Sequence, residues 1–307
     1  MDYSRLTPRL ALQLAAPHTW PAAILPCLAA VCAAGVAQHR IGILAALTLL
    51  LICILFQAAA NTFNDYFDYI KGTDTADDNV EVSDSTLVYN NINPTHALIL
   101  AIAFVALAFI LGIYIVVISG IVPLIIAIIG AAVVVLYSAG KTPLSYLPIG
   151  EIVSGFFFGM LIPIAVYLSL TRSFDWRMLL WCLPLVIGVG LIMMTNNTCD
   201  IEKDIEAGRN TLPVHLGRET SVNVYHLALL AWLVLIIIFS ALFFGGGVIL
   251  TPFMLLAVWP VLKPLLANPL VPQTRIQAMG QILTVNVVLG AFLAAIICAS
   301  GSFVLAV

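Results

Sequence analysis

Asn61, Asn64, Asp65 and Asp68 stand at three- and four-residue spacing where a long apolar run ends. On a helix such positions are neighbours, so two carboxamides and two carboxylates share one face. The run that leads into them, residues 41–60, is long enough to cross a bilayer. Ionised groups are costly at the rim of hydrocarbon, and by default they mark a functional site. A second cluster, Asn196, Asn197, Asp200 and Asp204, repeats the arrangement at the end of another apolar run. Oxygen-rich patches on two separate helices could hold a divalent cation between them. The bland alternative is solvation of helix ends, which suits one cluster better than both.

The elements that must position these clusters are membrane helices. The chain has 307 residues, 62% of them hydrophobic and 9% charged, with a mean hydropathy of +1.11. That composition belongs to a polytopic membrane protein and excludes a soluble globular domain. Nine apolar runs stand at roughly 20–38, 41–61, 97–118, 121–138, 149–170, 178–196, 223–244, 247–266 and 281–304. The expectation is an all-α bundle of nine transmembrane helices around a central cavity, as one domain over residues 1–307. Its cytoplasmic loops are expected at about 71–96, 138–148, 198–222 and 267–280. No cleavable signal peptide is read: Arg5 and Arg9 precede a long run from Trp20, with no small-residue cleavage site after a short one.

Orientation follows from lysine and arginine. With a cytoplasmic N-terminus, the inner side receives Arg5, Arg9, Lys71, Lys141, Lys203, Arg209, Arg218, Lys263 and Arg275, and the outer side only Arg40, Arg172 and Arg177. This positive-inside bias puts both clusters at the cytoplasmic face of the cell membrane, and nine spans leave the C-terminus outside. Most of the acids lie in two stretches, 65–84 and 200–219, which suits a metal and phosphate site and not nucleic acid. The six cysteines form no CxxC and read as small buried hydrophobes.

Four stretches resemble the UbiA superfamily of intramembrane prenyltransferases, and within it the 1,4-dihydroxy-2-naphthoate polyprenyltransferases. They are L-A-A-P-H-T-W-P-A from Leu14, N-D-Y-F-D-Y-I-K-G-T-D-T from Asn64, Y-S-A-G-K-T-P-L-S-Y from Tyr137, and N-N-T-C-D-I-E-K-D-I-E-A-G-R-N-T-L-P-V-H-L-G from Asn196. Relatives that use 4-hydroxybenzoate usually carry Arg where Tyr69 stands, with a third Asp four residues after the second. Here Asp74 comes six residues after Asp68, as in the naphthoate type. The chain departs from that type in having no Lys or Arg between Lys71 and Lys141.

The resemblance implies magnesium-dependent transfer of a polyprenyl group from its diphosphate to an aromatic acid. Ionising an allylic diphosphate requires cations where charge develops on the leaving group, and a dry pocket around the carbocation. Asn64, Asp65, Asp68, Asp74, Asp200 and Asp204 are the expected metal residues, with Asn61, Asn196 and Asn197 beside them. Lys141, Arg209 and Lys71 are candidates to clamp the diphosphate, Lys141 first because it matches a family position. Tyr137, Tyr146, Phe63 and Phe67 could offer ring faces to the cation, although packing suits the phenylalanines better. His18 could touch the acceptor, and Glu151 could be a base or a partner of Lys141. For a naphthoate acceptor, attack at the carboxyl-bearing carbon with loss of carbon dioxide would give demethylmenaquinone. Another aromatic acceptor, such as 4-hydroxybenzoate, is the first alternative, and an ion-coupled transporter the second.

Overall fold

The computed structural model describes residues 3–73 and 85–306. It begins with a short helix, α1 (Pro8–Leu14), and a tight turn through Ala16, which takes a left-handed backbone at φ 45°. The membrane part follows as α2 (Pro21–Gln38) and α3 (Ile43–Lys71), then a short α4 (Thr86–Asn90), α5 (Pro94–Ser119) and α6 (Val122–Ser138). Next, α7 (Gly150–Phe156) runs through a π-helical turn at Phe157–Leu161 into α8 (Ile162–Thr171). A short α9 (Met178–Trp181) leads into α10 (Leu183–Cys199), α11 (Ile201–Glu206) and α12 (Leu212–Leu216). The chain closes with α13 (Arg218–Phe243), α14 (Thr251–Leu266) and α15 (Arg275–Ala299).

Among the described residues, eight helical stretches are long and apolar enough to cross a membrane, one fewer than the nine runs expected. The remaining run is α6, an apolar helix of 17 residues. The architecture is all-α and multi-pass, and the residues facing outward are those of a lipid-solvated bundle: α5 and α6 expose Ile99, Ile110, Val117, Ile125 and Ile128. The two short strands, β1 (Arg40–Gly42) and β2 (Val304–Ala306), pair in parallel and bring the end of the chain to the turn after α2.

Two features of this packing matter for the site. First, α3 does not stop where its apolar run stops. It continues to Lys71, where Gly72 ends it at φ 67°, so the whole first cluster sits on regular helix. Second, α7 and α10 cross at close range. A Cβ at Gly155 or Gly159 would run into the α10 backbone at Val186, and one at Gly190 would meet the Glu151 carbonyl at 3.1 Å. Small residues at a crossing let helix backbones approach in lipid. The broken second cluster follows from α10 ending at Cys199: Asp200 leaves helical geometry at ψ 17° before α11 resumes.

Candidate active site

One cavity of about 320 Å³ lies between α3, α5, α6, α7–α8 and α10. Its mouth is polar, lined by Asn61, Asn64, Asp65, Asp68, Asn196, Asp200, Lys203, Arg209 and Arg275. Its remaining wall is mostly apolar, with Phe56, Phe109, Phe157, Phe158 and Leu161 among the larger side chains. The π-helical turn contributes three of those five, in keeping with the frequent place of such turns at functional sites.

The first cluster is held by neighbours on several elements. Asn61 donates to the Ala15 carbonyl at 3.0 Å and to Thr19 Oγ1 at 2.8 Å, which pins the turn after α1 across the mouth. Asn64 Nδ2 donates to Asp68 Oδ2 at 2.8 Å, and Asn64 Oδ1 accepts from Ser138 Oγ at 3.2 Å. Asp65 is buried and accepts from the backbone N–H groups of Thr86 at 2.8 Å and Leu87 at 3.3 Å, so it caps the start of α4. Lys71 Nζ donates to the Ser138 carbonyl at 2.7 Å.

The second cluster is matched to arginines. Arg275, 6% exposed, donates from Nε to Asp200 Oδ2 at 2.9 Å and from Nη2 to Asn196 Oδ1. Asp204 is 1% exposed; it accepts from Thr211 Oγ1 at 3.0 Å and lies 3.2 Å from Arg209 Nε. Burial pushes its carboxyl up to about 6, against the pull of Arg209 and Thr211. Burial works against the Arg209 charge as well, but Asp204 and Asp68 outweigh it and raise the guanidinium. Arg209 therefore bridges the two clusters electrostatically.

Of the expected residues, Asn61, Asn64, Asp65, Asp68, Tyr137, Asn196, Asp200 and Arg209 line the one cavity. Asp204 stands behind that wall and supports Arg209. Asn197 also turns away: its Nδ2 donates to Glu151 Oε1 at 2.8 Å, both side chains being buried. Lys141 is exposed and, with Lys71 and Tyr146, lines a separate cleft. Tyr146 carries Lys71 over its ring at 4.8 Å and Arg209 at 5.0 Å, so its faces serve cationic side chains. Phe63 is buried and stacks with Phe67 at 6.3 Å, as packing would have it. Asp74 lies outside the described residues.

Sequence reasoning passed over Lys203, Arg275, Ser138 and Thr19. Lys203 had a signal, since it follows Asp200 by three residues at helical spacing. Arg275 had none beyond its place at the start of the last apolar run, because its partners lie 75 and 79 residues earlier.

Carboxylate and carboxamide oxygens on two sides of one mouth are the hard donor set magnesium takes. Among the described residues no three His, Cys, Asp or Glu side chains converge on a point. Magnesium is usually held by one or two carboxylates together with substrate phosphates, rather than by a cage of protein ligands.

Known proteins resemble this chain in sequence and in fold. The chain is 33% identical to the 1,4-dihydroxy-2-naphthoate octaprenyltransferase of Bacillus subtilis over 212 residues, covering 69% of this chain and 67% of the relative. It is 28% identical to the protein of that name in Mycobacterium tuberculosis, over 90% of this chain and 94% of the relative. A UbiA homolog from Archaeoglobus fulgidus, solved bound to GPP and Mg2+, superposes with a TM-score of 0.64 at 18% identity, over 95% of this chain and 99% of that one. The model of the UbiA prenyltransferase family matches residues 23–275, most of the chain. A membrane-embedded prenyltransferase is the reading on which sequence and fold agree, and ion-coupled transport is set aside: the chain belongs to the UbiA prenyltransferase family.

Proposed function

We propose that this protein transfers a polyprenyl group from its diphosphate to 1,4-dihydroxy-2-naphthoate, with loss of carbon dioxide, to give the reduced quinol, demethylmenaquinol. The observation that carries the reading is the single cavity, which joins a mouth of carboxylates and arginines to an apolar interior. The names of the similar bacterial proteins support the choice of acceptor.

Magnesium, when bound, supplies positive charge to the departing diphosphate. Asp65 and Asp68 on α3, with Asp200 and its neighbour Asn196, are the residues that would hold it. Lys203, Arg209 and Arg275 stand at the mouth, where negative charge grows as the allylic C–O bond breaks. The apolar wall keeps water from the carbocation. The ring carbon bearing the carboxylate then bonds to the allylic carbon, and the carboxylate leaves as carbon dioxide, returning its electron pair to the ring. Charge balances without a base, which agrees with Glu151 lying off the cavity wall.

The mouth faces the cytoplasm in this reading, on the strength of the positive-inside pattern. The pairing of β1 with β2 supports nine crossings. It puts residues 40 and 304 on one side, and the chain between them makes an even number of passes only when α6 is one of eight.

The test is a magnesium-dependent assay with a labelled prenyl diphosphate offered separately to 1,4-dihydroxy-2-naphthoate and 4-hydroxybenzoate, following lipid product and carbon dioxide. Product and carbon dioxide with the naphthoate alone are expected. Product with the benzoate alone would overturn the acceptor and leave the prenyl transfer standing.

A further inference from the structure

The cavity wall on α3 is a single stripe. From Asp68 it steps back through Asn64, Asn61, Gln57 and Cys53 to Leu49 at three- and four-residue intervals. That is nineteen residues of helix, about 28 Å at 1.5 Å per residue, which is close to the thickness of the hydrocarbon. Among the described residues of the wall, those beyond Gln57 carry no charge. Ser169, at the far end, returns its hydroxyl to the Ala165 carbonyl at 2.7 Å and so presents little polarity.

Two glycines stand out where α5 and α6 line the cavity. Gly112 lies seven residues from the outer end of α5 and Gly130 eight from the outer start of α6, so both sit about 10–12 Å from that end, at one level. A glycine inside a helix costs about 1 kcal/mol relative to alanine, and close packing usually explains it. Gly155, Gly159, Gly188 and Gly190 have that explanation, since an added Cβ at each would meet a neighbouring helix. Gly112 and Gly130 do not: an added Cβ there meets nothing within 4 Å, although both line the cavity. Space kept open on a ligand-binding wall is space for a ligand.

We propose that the isoprenoid tail of the donor runs along the α3 stripe to the gap between α5 and α6, and that Gly112 and Gly130 set the length of tail accepted. The inference rests on the prenyl-transfer reading and adds its specificity. Phe109 of α5 meets Phe56 of α3 ring to ring at 5.9 Å, so Gly112, three residues further out, comes level with Cys53 in the outer third of the stripe, about 22 Å of helix from Asp68. A geranyl tail ends short of that level, whereas an octaprenyl tail must pass it. The outer face of α6 there is lined by exposed Ile125, Ile128 and Ile129, so a tail that passes the glycines reaches lipid.

The experiment compares kcat/KM for geranyl diphosphate and octaprenyl diphosphate, with dihydroxynaphthoate as acceptor, in wild type and in the Gly112→Phe/Gly130→Phe double variant. The octaprenyl-to-geranyl ratio should fall about tenfold or more, as large side chains in an apolar pocket discriminate on this scale. An unchanged ratio, whether both donors hold or both fall together, would overturn the proposal. If the aromatic pair is not recovered folded, the Gly112→Leu/Gly130→Leu pair decides by the same ratio, and leucine favours the helix over glycine. Wild type inert with both donors would defeat the prenyl-transfer reading and the inference with it. An active wild type with an unmoved variant ratio would defeat the inference alone.

Discussion

The two walls of the mouth carry the same residue types and use them differently. On α3 neutral donors anchor the acids: the N–H groups that open α4 hold Asp65, and the Asn64 amide holds Asp68, which also lies in the field of Arg209. On the second wall they are met by guanidinium groups, Asp200 by Arg275 and Asp204 by Arg209. Neutral donors satisfy a carboxylate and leave its charge in place, whereas arginine cancels it. The neutral anchors of the α3 wall therefore leave its acids able to take a cation. The second wall holds arginines ready beside the place where diphosphate charge grows.

Removing one acid from each wall should separate these roles. Asp68→Asn should fold and lose roughly a hundredfold or more in turnover, in the range for loss of one electrostatic stabiliser of a developing charge. Added magnesium should restore part of it. Asp200→Ala should lose turnover as well, but it also breaks the buried Arg275–Asp200 ion pair, and breaking such a pair costs about 3–5 kcal/mol. Its thermal midpoint in detergent should fall well below that of Asp68→Asn. Equal midpoints would erase the distinction between the walls.

The comparison also marks what the sequence could tell. Helical spacing put Asn61, Asn64, Asp65 and Asp68 on one face, and the structure has them lining one cavity. It could not say which face Asn197 takes relative to Asn196, because that depends on where α7 crosses α10. The crossing is set by Gly155, Gly159 and Gly190, and it turns Asn197 to Glu151. Partners such as Arg275 were hidden for the same reason, since periodicity orders one helix and says nothing of its neighbours. The apolar runs gave the helices themselves, with α6, at 17 residues, just below the length of the eight candidate spans, and they missed how far α3 and α15 extend beyond their apolar parts.

The second wall should also titrate. The Asp204 carboxyl, raised to about 6 by burial from an ordinary 3.8, ionises later in the folded than in the unfolded chain. The unfolded chain thus holds fewer protons between about pH 4 and pH 6, and stability falls as pH rises across that window, by roughly 3 kcal/mol in all. The thermal midpoint should decline from pH 4 toward pH 7, and Asp204→Asn should flatten that decline. A slope that survives the substitution would assign it to another group.

Glu151 gives a smaller and sharper contrast. Its Oε2 and the Asn197 Oδ1 are both buried and have no hydrogen-bond partner among the described residues, although the two side chains already share one bond. Glutamine has the same shape, accepts from Asn197 through its carbonyl and offers an N–H toward the other oxygen. Glu151→Gln should keep turnover and gain slightly in thermal midpoint. Glu151→Ala should lose about 1–3 kcal/mol by leaving Asn197 unsatisfied. A Gln variant without turnover would instead make Glu151 a chemical participant.

The smallest effect belongs to Tyr146, which ties the two walls together. Its ring holds Lys71 from the first wall and Arg209 from the second, its carbonyl accepts from the Asn210 N–H at 2.8 Å, and its hydroxyl meets Thr73 Oγ1 at 3.2 Å. Phenylalanine keeps the ring and the backbone bond and removes only the hydroxyl contact. Tyr146→Phe should therefore leave kcat/KM within about twofold, while Tyr146→Leu removes the face shared by both cations, worth about 0.5–1 kcal/mol for each. The loss in Tyr146→Leu should appear as a higher KM for the prenyl diphosphate, because the ring orders the cations before the donor arrives. Were the two variants alike, the hydroxyl and not the ring would be the link between the walls.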